Sequence, residues 1–259
     1  MQLSALLFVN WIFWAALSAG TLLVVGLTEL LGGTTPGYRL FMAWLVVVFA
    51  AILVASDLGL PLGVDASATV DVRRPLAIAF AVGCLAYLVA SIARWPRSWL
   101  AIGSAMVGLC ALVVLAAAGG SRSAPLFAGQ LVLAALALGA VNAAMLLGHW
   151  YLVTPKLSPT PLRRMMWLLI GCLALQAVTF AVALIGVGTG ALDGGLGWLT
   201  WLRLAAGILL PILITVLAIL ASRAASLQAS TGLLYIGMAL IMAGSIAGAS
   251  ITYLTGIPV

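Results

Sequence analysis

Charge is what this sequence has least of. Only 6% of its 259 residues are Asp, Glu, Lys or Arg, while 65% are hydrophobic and the mean hydropathy is +1.30. A soluble domain carries about 25% charged residues, and a surface with so much less cannot be kept in water. Lipid is therefore the solvent for most of the chain, which excludes a cytosolic enzyme and a nucleic-acid binder. The formal net charge of +6 then reads as helix orientation and contact with lipid head groups. Histidine is nearly absent as well: His149 is the only one. A transmembrane b-type haem usually needs two imidazoles and a di-haem cytochrome four, so the chain is expected to be haem-free. There is no C-x-x-C-H for a covalently held cofactor and no His/Glu cluster for a metal. Cys84, Cys110 and Cys172 each lie inside an apolar stretch and read as small buried hydrophobes. The glycine-rich stretch from Gly186 to Gly197 lacks the Lys and Ser/Thr of a phosphate-binding loop.

What is present is a series of long apolar runs. A membrane-crossing helix needs about 20 of them in a row, and that length predicts eight spans, at 5–31, 39–63, 75–94, 98–118, 125–153, 165–190, 198–222 and 229–254. Continuous rather than alternating hydrophobicity makes them helices, not strands of a barrel. The expected fold is an all-α integral membrane protein. The breaks are rich in Gly and Pro, notably 32–37, 65–75, 94–97, 119–125, 155–161 and 190–197. Trp11, Trp14, Trp44, Trp99, Trp150, Trp167, Trp198 and Trp201 fall near span ends, where indoles favour the interface. No Lys or Arg precedes the first apolar run, so that run is expected to be a retained helix rather than a cleaved signal. One side collects Arg39, Arg94, Arg97, Lys156, Arg163, Arg164 and Arg223. The other collects Arg73, Arg74, Arg122 and Arg203, offset by Asp65, Asp71 and Asp193. The richer side is expected to face the cytoplasm of a bacterial-type inner membrane, with both termini outside.

Two passages resemble each other. Gly26-Leu-Thr-Glu-Leu30, a turn, Pro36-Gly-Tyr-Arg39 and Trp44-Leu45 align with Gly148-His-Trp-Tyr-Leu152, a turn, Pro161-Leu-Arg-Arg164 and Trp167-Leu168. An internal duplication would make halves 1–120 and 121–259 two parallel four-helix bundles. The alternative is convergence, since apolar helices joined by Pro/Gly turns look alike in composition.

Ionisable groups at membrane depth are costly and mark candidate sites. Glu29 lies near the end of span one, Asp57 inside span two, His149 near the end of span five and Arg203 in the first turns of span seven. Asn142, Met145 and His149 share a helix face by their spacing. His149, Glu29 and Asn142 form a candidate quinone or proton site, in which a neutral imidazole exchanges a proton or meets a quinone carbonyl. The bland alternative makes His149 part of an interfacial His-Trp-Tyr anchor and lets Glu29 snorkel to the interface. Asp57 and Arg203 form a candidate intramembrane ion pair or relay. Small residues recur at Ala140, Ala144 and Gly148, at Ala239, Ala243 and Ala247, and at Gly244 and Gly248, as packing seams. Pro211 is expected to kink span seven.

With segments outside the spans only about a dozen residues long, the chain has no room for a catalytic head. The leading expectation is a haem-free membrane subunit of a respiratory or other redox complex. It would meet lipid, membrane or peripheral redox subunits and a quinone, and it would not be catalytic alone. In helix number and orientation this resembles the polysulfide-reductase-type quinol-oxidising membrane anchors, with no diagnostic motif matched. A small-molecule or lipid permease using Asp57, Arg203 and the Pro211 kink is the second expectation, and a structural or assembly subunit the third.

Overall fold

The structure, a computed structural model, describes residues 3–60, 70–118, 124–154, 157–187 and 194–257. Asp65, Arg122, Lys156 and Asp193 lie outside them, as does the side chain of Asp71. Among the described residues every regular element is helical: α1 (Leu3–Leu31), α2 (Pro36–Leu58), α3 (Val70–Ile92), α4 (Ser98–Ala118), α5 (Ala124–Val153), α6 (Thr160–Val187), α7 (Gly197–Leu204), a π turn (Ala205–Leu209), α8 (Leu210–Arg223) and α9 (Leu227–Thr255). With α7, the π turn and α8 taken as one span, eight helices are long and apolar enough to cross a membrane. The architecture is that of a helical multi-pass membrane protein. Leu, Val and Ile side chains exposed along α2, α3, α6 and α8 suit a lipid-facing surface.

The chain divides into two compact units, Met1–Gly139 and Ala140–Val259, with the division inside α5. In the first, α1 packs on α2 and α4, and α3 packs on α2 and α4. The hairpin between α1 and α2 is short because Gly32 and Gly33 adopt positive φ, and Thr35 caps α2 by accepting from the Tyr38 N–H ahead of Pro36. Pro75, expected to close a loop, instead sits one turn inside α3, which starts at Val70. Arg73 and Arg74 are thereby helical. The first half of α5 crosses α1 with backbone against backbone, since a Cβ on Gly20 would strike the carbonyl of Ala135 and one on Gly139 would strike Gly20.

In the second unit α6 packs on α8, and α7, the π turn and α8 all pack on α9. Pro211 does bend the regular path, but the distortion lies just before it. The Leu210 N–H bonds back to the Ala205 carbonyl, five residues earlier, so the π turn absorbs the bend and Pro211 occupies the restart of the helix, where its missing N–H costs little. Of the expected seams, Ala140, Ala144 and Gly148 are buried, with Gly148 against Thr231. On α9, Ala239 is exposed and Ala243 half-buried, while Gly244 and Gly248 are buried. Ala247 is buried too, and the close backbone approach on α9 is at Gly244, against Gly207.

Candidate functional site

The described acids each sit in a closed cluster in the first unit. Glu29, on the last turn of α1, has its Oε1 at 3.0 Å from Arg39 Nη1 and 2.9 Å from Arg97 Nε. Tyr87 donates to Oε2 at 3.2 Å. The Arg97 contact is one of charge rather than an aligned hydrogen bond. Only 8% of the Glu29 side chain is exposed, so it is clamped by α2, α3 and the α3–α4 turn rather than snorkelling outward. Arg39 and Arg97, expected as orientation signals, serve as its counter-ions.

Asp57 occupies the opposite end of the same unit, on the last turn of α2. Arg73 Nε donates to Oδ1 and Arg74 Nε to Oδ2, both at 2.8 Å, and Trp11 Nε1 donates to Oδ1 at 2.9 Å. Arg74 also donates to the carbonyls of Asp57 and Leu60, closing the end of α2. The Arg73 guanidinium lies 5.5 Å from the centre of the Trp11 ring, within cation–π range. Beside the cluster Asn10 donates to Ser56 and accepts from Trp14. The charge expected from Arg203 thus comes from Arg73 and Arg74. Trp11, expected at the interface, is fully buried. Trp11→Phe keeps a ring face for Arg73 but deletes the bond to a charged acceptor. It is expected to lower stability by about 1.5–3 kcal/mol, measurable by unfolding in mixed detergent.

In the second unit Arg203 is 3% exposed, and its Nη2 donates to Gln176 Oε1 at 2.7 Å. Its Nε has no hydrogen-bond partner, and among the described residues no carboxylate meets its charge. Arg163 bonds the hydroxyl and carbonyl of Ser222, joining α6 to the end of α8. Asn142 is buried, whereas His149, one turn before the end of α5, is exposed and makes no hydrogen bond or ion pair among the described residues. Helical spacing puts the two on nearly one face, but at His149 that face is open, while Leu147, Gly148 and Tyr151 beside it stay buried. Glu29 belongs to the first unit and His149 to the second, and the described bonds of Glu29 are all to first-unit groups. No group of three or more metal-ligating side chains occurs among the described residues.

Spacing missed these clusters because each joins the end of one helix to the start of the next. Glu29 and Arg39 flank one turn ten residues apart; Asp57 and Arg73 lie sixteen apart, at the end of α2 and in the first turn of α3. An acid at the end of one span with an arginine at the start of the next is the signal that was there to be used. Comparison with protein-family models, curated proteins and solved structures finds no match.

Proposed function

We propose that the chain is a haem-free integral membrane subunit of a respiratory or other redox assembly, in a bacterial-type cytoplasmic membrane, handling a quinone or its protons at His149. The observation that carries this reading is the exposed imidazole near the end of α5, unbonded among the described residues and followed by half-buried Trp150 and buried Tyr151. An imidazole so placed has ring nitrogens free of described partners, open to hydrogen-bond a quinone oxygen. Glu29 is spent on two arginines, so the proton position narrows to His149, with Asn142 as a buried polar neighbour on the same helix. The described connections 32–35, 93–97 and 224–226 are short turns, so catalytic cofactors belong to partner subunits. His149→Gln is expected to leave assembly intact and to lower quinone-dependent electron transfer of the purified complex by about 100-fold. An unchanged rate sinks the site, and a monomer that moves substrate in liposomes by itself sinks the subunit reading.

The permease reading is favoured by one feature, the buried Arg203 without a described carboxylate. For orientation, Arg73 and Arg74 are matched to Asp57 and Arg203 is buried, which leaves the excess of exposed arginines, Arg94, Arg164 and Arg223, at the expected cytoplasmic ends.

Two parallel four-helix bundles are the arrangement we favour, and one pair of turns supports it. After α3, the Ala93 and Trp95 N–H groups bond the carbonyls of Val89 and Ala90, with Arg94 at φ 58°. After α8, the Ala224 and Ser226 N–H groups bond the carbonyls of Leu220 and Ala221, with Ala225 at φ 58°. Non-glycine residues rarely adopt that conformation. The flanking segments also align, Val89-Ala-Ser-Ile-Ala93 with Leu220-Ala-Ser-Arg-Ala224. Gly26 packs on Ala101 of α4, as its aligned partner Gly148 packs on Thr231 of α9.

A further inference from the structure

We propose that Arg203 and Gln176 form a binding site for a single oxyanion, the carboxylate of an amphiphilic acid, inside the second unit. The repeat locates what is unusual about Arg203. Counting back from the paired left-handed turn residues, Arg73 precedes Arg94 by 21 residues and Arg203 precedes Ala225 by 22. The extra residue is the one inserted by the π turn at Ala205–Leu209. The two arginines therefore hold the same place in their units. Arg73 is answered there by the carboxylate of Asp57, whereas Arg203 is answered by the neutral carboxamide of Gln176. Arg73 leaves Nη2 unbonded, but its charge is met. Arg203 leaves Nε unbonded and its charge is not met by any described carboxylate.

A lone guanidinium within a membrane span is costly unless an anion is brought to it. From Ala140 onward the sequence has a single acidic residue, Asp193, so the second unit is poor in anions of its own. The unused N–H and the unmatched unit charge fit one monoanionic oxygen. On the face of α7, the neighbours of Arg203 are Leu199, Thr200 and Gly207, a mostly apolar setting that suits a ligand with an apolar body. Gly207 leaves the guanidinium its room, since a Cβ there would lie 3.3 Å from Nη1. π turns are frequent at functional sites.

The test is thermal unfolding of the purified full-length chain in neutral detergent with oleate, acetate or oleyl alcohol. Oleate is expected to raise the midpoint by about 5 °C near a hundredfold excess over its Kd, with no shift from the alcohol. Arg203→Gln is expected to abolish the shift. Gln176→Glu, which supplies a built-in carboxylate at the position of the present acceptor, is expected to fold, to be at least as stable as the parent and to lose the shift, so the proposal does not depend on the arginine variant folding. His149→Gln is expected to keep it, which separates this site from the proton position. A shift with acetate as well as oleate supports the same carboxylate site fed from water; with oleate alone, it supports one fed from the bilayer. No shift with either acid, a shift equalled by the alcohol, or one surviving in Gln176→Glu overturns the proposal. So does Asp193→Asn destabilising the chain as much as Arg203→Gln while no acid has any effect, because the counter-ion is then the chain's own.

Discussion

Asp57→Asn is expected to destabilise the first unit by about 3–5 kcal/mol, the penalty for leaving a buried charge without its partner. The side chain of Asp57 is 3% exposed and holds two guanidiniums and an indole N–H. An asparagine keeps the shape, and its carbonyl accepts one of those bonds. It removes the only described negative charge between Arg73 and Arg74, which then repel each other. The two arginines do not share the loss equally: Arg74 is 24% exposed and can turn to water or head groups, whereas Arg73 is 6% exposed and cannot. Arg74→Ala is therefore a mild change and Arg73→Ala a severe one. Pairing Asp57→Asn with Arg73→Met is expected to recover much of the loss, because a buried pair replaced by matched apolar or neutral groups is often close to neutral. Equilibrium unfolding of the two single variants and the double variant measures the coupling. Additive losses would mean that the pair contributes nothing beyond its separate packing.

This cluster also marks where the sequence stopped being readable. The eight spans were legible, because length and hydropathy decide a membrane crossing almost alone, and each predicted span overlaps a helix to within several residues. The partners of the buried charges were not. Asp57 and Arg203 looked like a pair because both were deep and opposite in sign, but depth does not say which unit a side chain faces. Arg73 and Arg74 looked like loop charges because Pro75 looked like a helix boundary. Pro75 lies past the first turn, where it forgoes one backbone bond without ending the helix, and with α3 starting at Val70 Arg73 and Arg74 reach the end of α2. The general preference of indoles points Trp11 to the interface, but its N–H has a buried acceptor in Asp57, whereas Trp44, Trp99 and Trp198 are exposed. His149 and Asn142 lie on one helix; their different burial depends on which side of α5 is covered at each level, since Gly148 and Tyr151 beside His149 are buried, and periodicity does not encode that.

The two units spend their charges differently. The first binds each described acid with two arginines, at opposite ends of one set of helices, which ties α1, α2, α3 and the α3–α4 turn together through Glu29 and α1, α2 and α3 through Asp57. Each such doubly bridged carboxylate ties several helices at once. Among the described residues, the second unit leaves His149 unbonded and Arg203 only half satisfied, and it contains the π turn.

Gly244→Leu is expected to prevent folding of the second unit, and Gly244→Ala to cost about 1–3 kcal/mol, the usual range for overpacking a filled interior. A Cβ on Gly244 would fall on the backbone of Gly207, and one on Gly207 would lie 2.7 Å from the Cα of Gly244. Backbone cannot swing aside as a flexible side chain does, so α9 and the π turn must separate. The contact permits close approach where water gives no driving force and helix association depends on dispersion between surfaces that fit. Separation would reach Arg203, one helical turn from Gly207. The expected result is thus twofold: lower stability, and loss of any carboxylate response at Arg203. Gly232→Ala, on the same helix with open space around it, is the control and is expected to be neutral or to stabilise by about 0.5–1 kcal/mol through helix propensity. Equal costs at Gly244 and Gly232 would show that glycine acts in α9 only through propensity, and that the crossing is not what holds the π turn against it.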